Sequence, residues 1–327
     1  MPRALNLWAS ELRRSFTAAP SSTLLQARLI STLYCPPAAA GVAATKVLAL
    51  AWSPEDPLLL ASAGSDFFIR FWDTSGAGRA EFAVPVKLNE VIQLAWHPTS
   101  YVLALSTMSD HIVFVDARRS SVDARKAAVL GSENQSNELN EIAWMPSGTL
   151  IAAMASKNLT DGYEGSLRIL RPREGFMGSE LVTTLRGQMG QMVTVRFDRA
   201  CAHFATVSKD GAVSLWRMAD LNVLRVFDRL DSPATSLSFS PDGALLAIAS
   251  EDDKQLDVVR VADGSRVRTL SVSPYKPTAV AWAPHAHTRA ILAFVVNPSE
   301  APAGGAEPPF AVRLLSAGPL VGGDAPR

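Results

Sequence analysis

Few side chains in this chain could do chemistry, and they do not cluster in sequence. Of the five histidines, only His285 and His287 share a turn in which two imidazoles could face one metal ion. No acid or cysteine lies near them in sequence, whereas a zinc site needs three or four such ligands. The two cysteines, Cys35 and Cys201, are too far apart for a CxxC pair. The sequence therefore predicts no metal site and no cofactor.

The motifs of common catalytic sites are also absent from the sequence. It contains no HExxH, no GxSxG elbow, no GxxxxGK phosphate loop and no GxGxxG after a strand. Lysine plus arginine equal aspartate plus glutamate at 31 each, whereas a nucleic-acid binder usually carries a basic excess. No apolar run approaches the ~20 residues that span a bilayer. We therefore predict a protein that is not an enzyme, has no small-molecule substrate or membrane partner, and contacts RNA only indirectly.

Two sets of charged residues remain as candidate binding sites. The first is a basic cluster in a polar stretch, in which Arg118 and Arg119 are candidate partner-surface residues. Acids are interleaved with it and no aromatic side chain is adjacent for base stacking, so we favour a solvated loop. A carboxylate in a tight turn commonly accepts backbone hydrogen bonds, which favours a structural role for the second set. These acids follow apolar runs and are Asp66, Asp110, Asp210 and Asp252.

The elements that must position these residues form a repeat. Six apolar runs end in an aromatic anchor followed by a turn, and five of the turns contain proline. The anchors are Trp52, Trp96, Trp144, Phe197, Phe239 and Trp282. Successive anchors are 44, 48, 53, 42 and 43 residues apart, close to the ~40–45 residues of a four-stranded WD40 blade. A generic β-sandwich would explain the alternation of the strands but not this fixed period.

Each repeat continues with two further apolar runs. The second run contains an alanine where packed blades would leave little room, at Ala61, Ala104, Ala152, Ala205, Ala247 and Ala293. The third run ends in a Trp-Asp pair once, at Trp72-Asp73. The positions equivalent to this Trp-Asp pair in three other repeats are interpreted as Val115-Asp116, Trp216-Arg217 and Val261-Ala262. Because a buried aromatic side chain removes ~150–250 Å² from water, we expect the four tryptophan anchors to lie in the core.

The repeats predict an all-β WD40 β-propeller over residues 46–317. Six full repeats are visible, and we favour a seven-bladed type with an incomplete first blade over a six-bladed ring. Residues 1–45 form that incomplete N-terminal segment, with Leu5–Trp8 as a lone third strand and Thr23–Leu33 as an outer strand of the next blade. The polar stretch from Asp116 to Asn140 is predicted to be an inserted loop. A disordered tail is predicted for residues 318–327.

One family resemblance is carried by particular stretches. Residues Ala212–Asp253 closely resemble a blade pair of the THO complex subunit 3 family, above all Phe227–Pro233 running into SLSFSPDG. Ile112–Arg119 with Asn140–Gly148 is similar to an earlier repeat pair of that family. The resemblance covers roughly residues 46–296 and includes the order and spacing of the repeats. The family's first repeat is mostly absent from this sequence.

The resemblance implies a nuclear scaffold subunit whose partners are the other subunits of the THO and transcription–export assembly. That assembly couples transcription elongation to the packaging and export of mRNA, and the family offers no catalytic residues to carry over. Asp210, Arg229 and Asp231 match the family's sequence, and they are candidates for blade-turn stabilisers, which we favour, or for a partner surface. The alternative function is a different WD40 adaptor, such as a ubiquitin-ligase substrate receptor or a chromatin adaptor.

Overall fold

The chain forms strands throughout the part that the structure describes. The computed structural model describes residues 4–9, 28–34, 47–74, 80–86, 90–118, 129–155, 165–186, 190–227, 234–250, 254–273, 275–283, 291–298 and 311–316. Within these ranges there are 25 β-strands and one short 3-10 helix. The chain divides into two compact units, which are Met1–Gln135 with Pro172–Ser179, and Ser136–Arg171 with Glu180–Arg327.

The first unit contains a two-stranded sheet and two four-stranded sheets, and each of the larger sheets is called a blade below. The two-stranded sheet consists of β1 (Ala4–Ala9) and β2 (Arg28–Tyr34). The first blade consists of β3 (Val47–Trp52), β4 (Leu59–Gly64), β5 (Phe68–Asp73) and β6 (Ala80–Pro85). The second blade consists of β7 (Val91–Trp96), β8 (Val102–Thr107), β9 (His111–Asp116) and β10 (Val129–Asn134). The 3-10 helix η1 (Glu174–Phe176) also belongs to this unit.

The second unit contains four further blades, of which the last has three described strands. The third blade consists of β11 (Glu138–Trp144), β12 (Leu150–Ala155), β13 (Gly165–Pro172) and β14 (Ser179–Leu185). The fourth blade consists of β15 (Met192–Phe197), β16 (His203–Ser208), β17 (Val213–Arg217) and β18 (Val223–Phe227). The fifth blade consists of β19 (Ala234–Phe239), β20 (Leu245–Ser250), β21 (Gln255–Arg260) and β22 (Arg266–Ser271). The sixth blade consists of β23 (Tyr275–Trp282), β24 (Ile291–Pro298) and β25 (Ala311–Ser316).

The predicted repeat is confirmed in the hydrogen bonding of the blades. In every blade the strands pair in chain order, and each of the six anchors is the last residue of a first strand. The turn after the anchor is closed in the first five blades by one backbone hydrogen bond from the residue that follows the anchor. The donors of this bond in the five blades, one in each, are the backbone N–H groups of Ser53, His97, Met145, Asp198 and Ser240.

A β-bulge recurs near the start of the first strand in all six blades. In the first blade the pairing register shifts between Val47 and Ala49, so that Leu48 has no partner on β4. The same shift occurs in β7, β11, β15, β19 and β23. A bulge bends a strand and increases its local twist. Its repetition shows that the six first strands share one backbone geometry as well as one sequence pattern.

The register corrects one predicted slot of the repeat. Trp72 pairs with Leu60, which pairs with the anchor Trp52. In the fifth blade the same chain of pairs runs from Phe239 to Leu246 and on to Val259. Val259 and Arg260 therefore occupy the Trp-Asp position, and the interpretation of Val261-Ala262 as that slot was wrong. The sequence misled because β21 ends two residues earlier than its apolar pattern suggested.

The two tryptophans of the third strands make a buried hydrogen bond that the sequence analysis missed. Trp72 Nε1 donates to Ser62 Oγ at 2.8 Å, and Trp216 Nε1 donates to Thr206 Oγ1 at 2.9 Å. Where the slot is aliphatic, at Val115 and Val259, the equivalent second-strand residue is also apolar, Leu105 and Ile248. A buried indole N–H needs an acceptor. In both blades with a tryptophan in this third-strand position, the second strand therefore supplies a hydroxyl side chain, Ser62 or Thr206.

The blade cores agree with most of the predicted core residues. Ala61, Ala104, Ala205 and Ala247 have no solvent exposure, as expected for second strands between packed blades. Trp96, Trp144 and Trp282 are buried, as predicted, and Phe239 is buried as well, whereas Phe197 is partly buried.

Trp52 is the exception, because it is 50% exposed, and the prediction that it lies in the core was wrong. A buried anchor packs on the preceding blade: the Trp96 ring lies 5.9 Å from that of Phe71, and Trp96 Nε1 donates to Ala51 O at 3.0 Å. Among the described residues Trp52 has no equivalent ring contact or hydrogen bond. Its exposed neighbours Leu48 and Leu50 extend the same apolar surface.

Two further predictions about connections are corrected. The stretch from Asp116 to Asn140 is not only a loop, since it contains β10, which pairs with β9 from Val129 to Asn134. Leu5–Trp8 and the end of Thr23–Leu33 lie in β1 and β2, which pair with each other, so they belong to one sheet and not to successive blades. The sequence did not indicate the strand β10 because its residues are largely polar, and in this outer strand each side chain is exposed or only partly buried. The domain boundaries remain predictions.

Candidate interaction site

Asp210 lies in the turn between the second and third strands of the fourth blade. Its Oδ1 accepts from Ala212 N at 3.0 Å within the turn, and its Oδ2 accepts from Gly190 N at 2.8 Å in the segment before β15. A side chain at Gly190 would collide, since a Cβ there would lie 2.8 Å from Asp210 N. These contacts favour the blade-turn role for Asp210, and its role in partner binding stays a prediction.

The Asp210→Ala variant should lower the free energy of unfolding by about 1–2 kcal/mol, since two backbone donors lose their acceptor. A denaturant titration followed by tryptophan fluorescence measures this change. The matched control is Asp220→Ala, because Asp220 accepts from Asn222 N within its own turn and is exposed. We expect the control to lower the free energy of unfolding by less than Asp210→Ala does. Equal losses in the two variants would contradict the bond to Gly190 as the stabilising contact.

The other turn acids divide between described and undescribed parts of the chain. Asp66 accepts from Phe68 N at 3.3 Å and pairs with Arg70, whose Nη1 lies 3.1 Å from Asp66 Oδ1. Asp110 is buried with a positive φ of 62°, and its carbonyl accepts from Gln135 N at 2.9 Å. Asp252 lies outside the described residues. The carboxylate contacts of Asp66 and Asp210 thus fit the predicted structural role, whereas the role of the Asp110 carboxylate stays a prediction.

The basic cluster is described only at its first residue. The exposed Arg118 guanidinium donates three hydrogen bonds to Asp116, from Nε to Oδ1 at 3.0 Å and to Oδ2 at 2.9 Å, and from Nη2 to Oδ2 at 2.5 Å. Partial burial opposes ionisation of Asp116, but the hydrogen bonds and charge of Arg118 outweigh it and lower the pKa of that carboxyl. Arg119, Arg229 and Asp231 lie outside the described residues, so their roles stay predictions.

A cleft between the fourth and fifth blades was not foreseen from the sequence. Its volume is about 600 Å³. Buried side chains of Leu215, Leu245 and Val261 line it, together with the exposed side chains of Leu224 and Val267. The last two are the residues that β-bulges leave unpaired in the outer strands β18 and β22. Their spacing in sequence gave no signal, because the bulge positions depend on strand register.

Basic side chains also line the cleft, and they belong to His203, Arg225 and Arg260. His203 Nδ1 lies 3.1 Å from the buried Asp198 Oδ2, and Arg260 Nη1 lies 3.2 Å from Asp263 Oδ2. Within the part of the chain that the structure describes, Arg225 Nη2 donates to one acceptor, the backbone carbonyl of Ala262 at 3.3 Å. Among the described residues that line the cleft there is no carboxylate.

The turn beside Arg260 holds an acid with a low pKa. The Ser265 hydroxyl and backbone N–H, together with Arg260, lower the pKa of Asp263 from 3.8 to about 2. Because the folded pKa lies below the unfolded one, the unfolded chain binds more protons in that range. The stabilisation by Asp263 is thus complete above pH 3.8 and lost as the pH falls towards about 2.

Asp263→Asn should therefore have a pH-dependent effect. The variant should unfold at lower denaturant than the parent chain near neutral pH, and the gap should close as the pH approaches about 2. Denaturation midpoints measured over that range provide the test. A gap that does not change with pH would show that the Asp263 charge is not the stabilising feature.

The described residues form neither a cluster of metal ligands nor a membrane-spanning helix. In the ranges that the structure describes, no group of three or more His, Cys, Asp or Glu side chains could hold a metal ion. His285 and His287 lie outside those ranges. No helix in the described part of the chain is long and apolar enough to cross a bilayer.

Comparisons with known proteins identify the fold. The family model for the WD domain, G-beta repeat, matches residues 41–73, and the model for the anaphase-promoting complex subunit 4 WD40 domain matches residues 203–285. The crystal structure of the Myceliophteria thermophila Cps50 (Swd1) β-propeller domain superposes with a TM-score of 0.63 at 20% identity. It covers 83% of this chain and 84% of that one.

The chain has the WD40 β-propeller fold. This confirms the fold class predicted from the spacing of the anchors. Nothing in the comparisons shows an enzymatic activity.

Three curated relatives with different names match part of this chain. THO complex subunit 3 of Arabidopsis thaliana is 28% identical over 221 residues, which is 68% of this chain and 64% of the relative. WD repeat-containing protein AAC3 of Dictyostelium discoideum is 29% identical over 59% of this chain and 37% of its own length. Pre-mRNA-processing factor 19 homolog 2 of Arabidopsis thaliana is 24% identical over 66% and 38%. This WD40 propeller thus spans less than two thirds of each relative.

Proposed function

We propose that this WD40 propeller is a non-catalytic scaffold subunit of a THO or transcription–export-like complex. In this role it supports mRNA processing and nuclear mRNA export through protein–protein contacts. The observation that carries the proposal is the 28% identity to a THO complex subunit 3 across 68% of this chain. The match to a pre-mRNA-processing factor supports the same general process.

The proposal specifies location and partners. The protein acts in the nucleus, and its partners are the other subunits of the complex. Its contact with RNA is indirect, which is consistent with equal numbers of acidic and basic residues in the chain. An RNA-binding surface needs cations that release counterions from phosphates, and the basic residues described at the cleft and at Arg118 are largely paired with acids or backbone groups.

A second candidate is a WD40 adaptor in a different assembly, such as a ubiquitin-ligase substrate receptor or a chromatin adaptor. The match of residues 203–285 to the WD40 domain of an anaphase-promoting complex subunit favours it. Both candidates share the protein-binding role and differ only in the assembly.

Affinity capture tests the proposal directly. The tagged full chain is used to capture proteins from nuclear extract at moderate salt, with and without nuclease, and mass spectrometry identifies them. We expect the larger THO subunits in both samples, because the contacts are between proteins. If cullin adaptors or chromatin factors dominate and THO subunits are missing, the second candidate replaces the first. If THO subunits appear only without nuclease, RNA bridges them and the scaffold proposal fails.

A further inference from the structure

The cleft between the fourth and fifth blades has the features of a peptide-binding site. Its apolar floor continues into two exposed aliphatic walls, Leu224 and Val267, which stand on the outer strands of neighbouring blades. Bulges often occur where a strand redirects a side chain towards a functional site. Here the bulge residues of β18 and β22 both line the same cleft.

The neighbouring strand edge favours an extended occupant. β18 is the last strand of the fourth blade in the sheet order, so one side of its backbone has no strand partner among the described residues. Val223, Leu224 and Val226 of this strand are exposed. An unpaired strand edge can bind an extended peptide by main-chain hydrogen bonds, with pockets for alternate side chains.

The charge of the cleft selects the chemistry of the peptide. Arg225 is fixed by packing against Gly264, where a Cβ would lie 2.6 Å from Arg225 Cδ. Its bond to Ala262 O occupies one of five N–H donors, and within the described residues it contacts no carboxylate. Arg260 and His203 already face Asp263 and Asp198, so Arg225 supplies the net positive charge. The described lining contains no Phe, Tyr or Trp ring on which a nucleic-acid base could stack, and the imidazole of His203 already faces Asp198.

We propose that this cleft binds an extended acidic segment of a protein partner, in which an aliphatic side chain stands next to a carboxylate. The aliphatic side chain lies between Leu224 and Val267 on the apolar floor. The carboxylate pairs with Arg225, whose planar guanidinium suits a two-bond contact. The inference deepens the proposed protein-binding role and does not depend on which assembly the chain joins.

Fluorescence anisotropy with the purified full chain tests the cleft. The probe is a short fluorescein-labelled peptide that alternates leucine with glutamate. Two comparison peptides carry lysine in place of glutamate or serine in place of leucine. We expect the leucine–glutamate peptide to bind at least roughly tenfold more tightly than either, because each comparison removes one of the two recognised groups.

Three variants locate the binding on the molecule. Val267→Asp should weaken binding of the leucine–glutamate peptide roughly tenfold or more, by placing a charge in the apolar wall. Arg225→Glu should reverse the preference towards the lysine peptide. Val182→Asp is the matched control, because Val182 is 45% exposed on the outer strand of the third blade and Val267 is 46% exposed. Unchanged thermal unfolding checks that the variants are folded.

Several outcomes would overturn the inference. These are equal binding of all three peptides, the same loss in Val182→Asp as in Val267→Asp, or full binding by both cleft variants. The absence of measurable binding by the leucine–glutamate peptide would also contradict the inference. The Val267→Asp variant can lose peptide binding and still capture THO subunits. That result would support the proposed assembly and show that the cleft does not mediate it. Peptide binding without THO subunits would reject only the assembly.

Discussion

Replacing Trp216 with alanine should lower the free energy of unfolding by roughly 3–5 kcal/mol, the range for removing a large buried aromatic side chain. Trp216 is only 2% exposed and stacks on Phe204, with ring centroids 5.6 Å apart and planes inclined by 5°. The variant would open a cavity beside Phe204 and leave Thr206 Oγ1 without its indole donor. Chemical denaturation followed by circular dichroism measures the loss.

Two variants separate packing from hydrogen bonding at this position. Trp216→Phe keeps most of the ring but not the N–H, so we expect a smaller loss of about 1–3 kcal/mol. Trp52→Ala is the matched control, since Trp52 belongs to the same residue type but is half exposed. Its loss should be less than half that of Trp216→Ala, because much of its surface already contacts water. A Trp52→Ala loss as large as that of Trp216→Ala would mean that Trp52 is covered in solution.

The second large effect is expected at Glu141, in the first strand of the third blade. Its side chain is 6% exposed, and Oε2 accepts from Val195 N in the fourth blade at 2.8 Å. Oε1 pairs with Arg196, which is partly exposed. Glu141→Ala would leave the buried Val195 N–H without a partner. We expect a loss of about 2–3 kcal/mol, at or below the lower end for a broken buried pair because Arg196 can still reach water.

Glu180→Ala provides the matched control for Glu141. Glu180 also pairs with an arginine, and its Oε1 lies 2.9 Å from Arg171 Nη1, but it is 52% exposed. An exposed ion pair of this kind contributes about 0–1 kcal/mol. Glu141→Gln should fall between the two variants, because the amide oxygen can still accept from Val195 N. Similar denaturation midpoints for Glu141→Ala and Glu180→Ala would exclude the blade-to-blade bond as a significant source of stability.

The candidate site could be predicted only in part, for a physical reason that Asp210 and Leu224 illustrate. The Asp210 carboxylate accepts from Ala212 N two residues away, so its residue type and position already indicate a turn role. Its second bond, from Gly190 N 20 residues away, could not be predicted from the local sequence. Leu224 reaches the cleft because a bulge in β18 shifts the register by one residue. A single-residue shift turns a side chain to the other face of a sheet. The local sequence of β18 contains no pattern that predicts this shift.

The sequence by itself determined the fold class, because the period of the anchors and the alternation of the strands express local geometry that each repeat satisfies alone. It also determined four buried alanines of the second strands, Ala61, Ala104, Ala205 and Ala247, whose small size suits the space between packed blades, whereas Ala293 is only partly buried. Only the tertiary structure decided that Trp52 is exposed, that Val259 takes the tryptophan slot, and that the fourth and fifth blades leave a basic-rimmed apolar cleft. Each of these features depends on which residues from different strands or blades contact one another. Strand register and packing between blades determine those contacts, and a local sequence pattern does not contain that information.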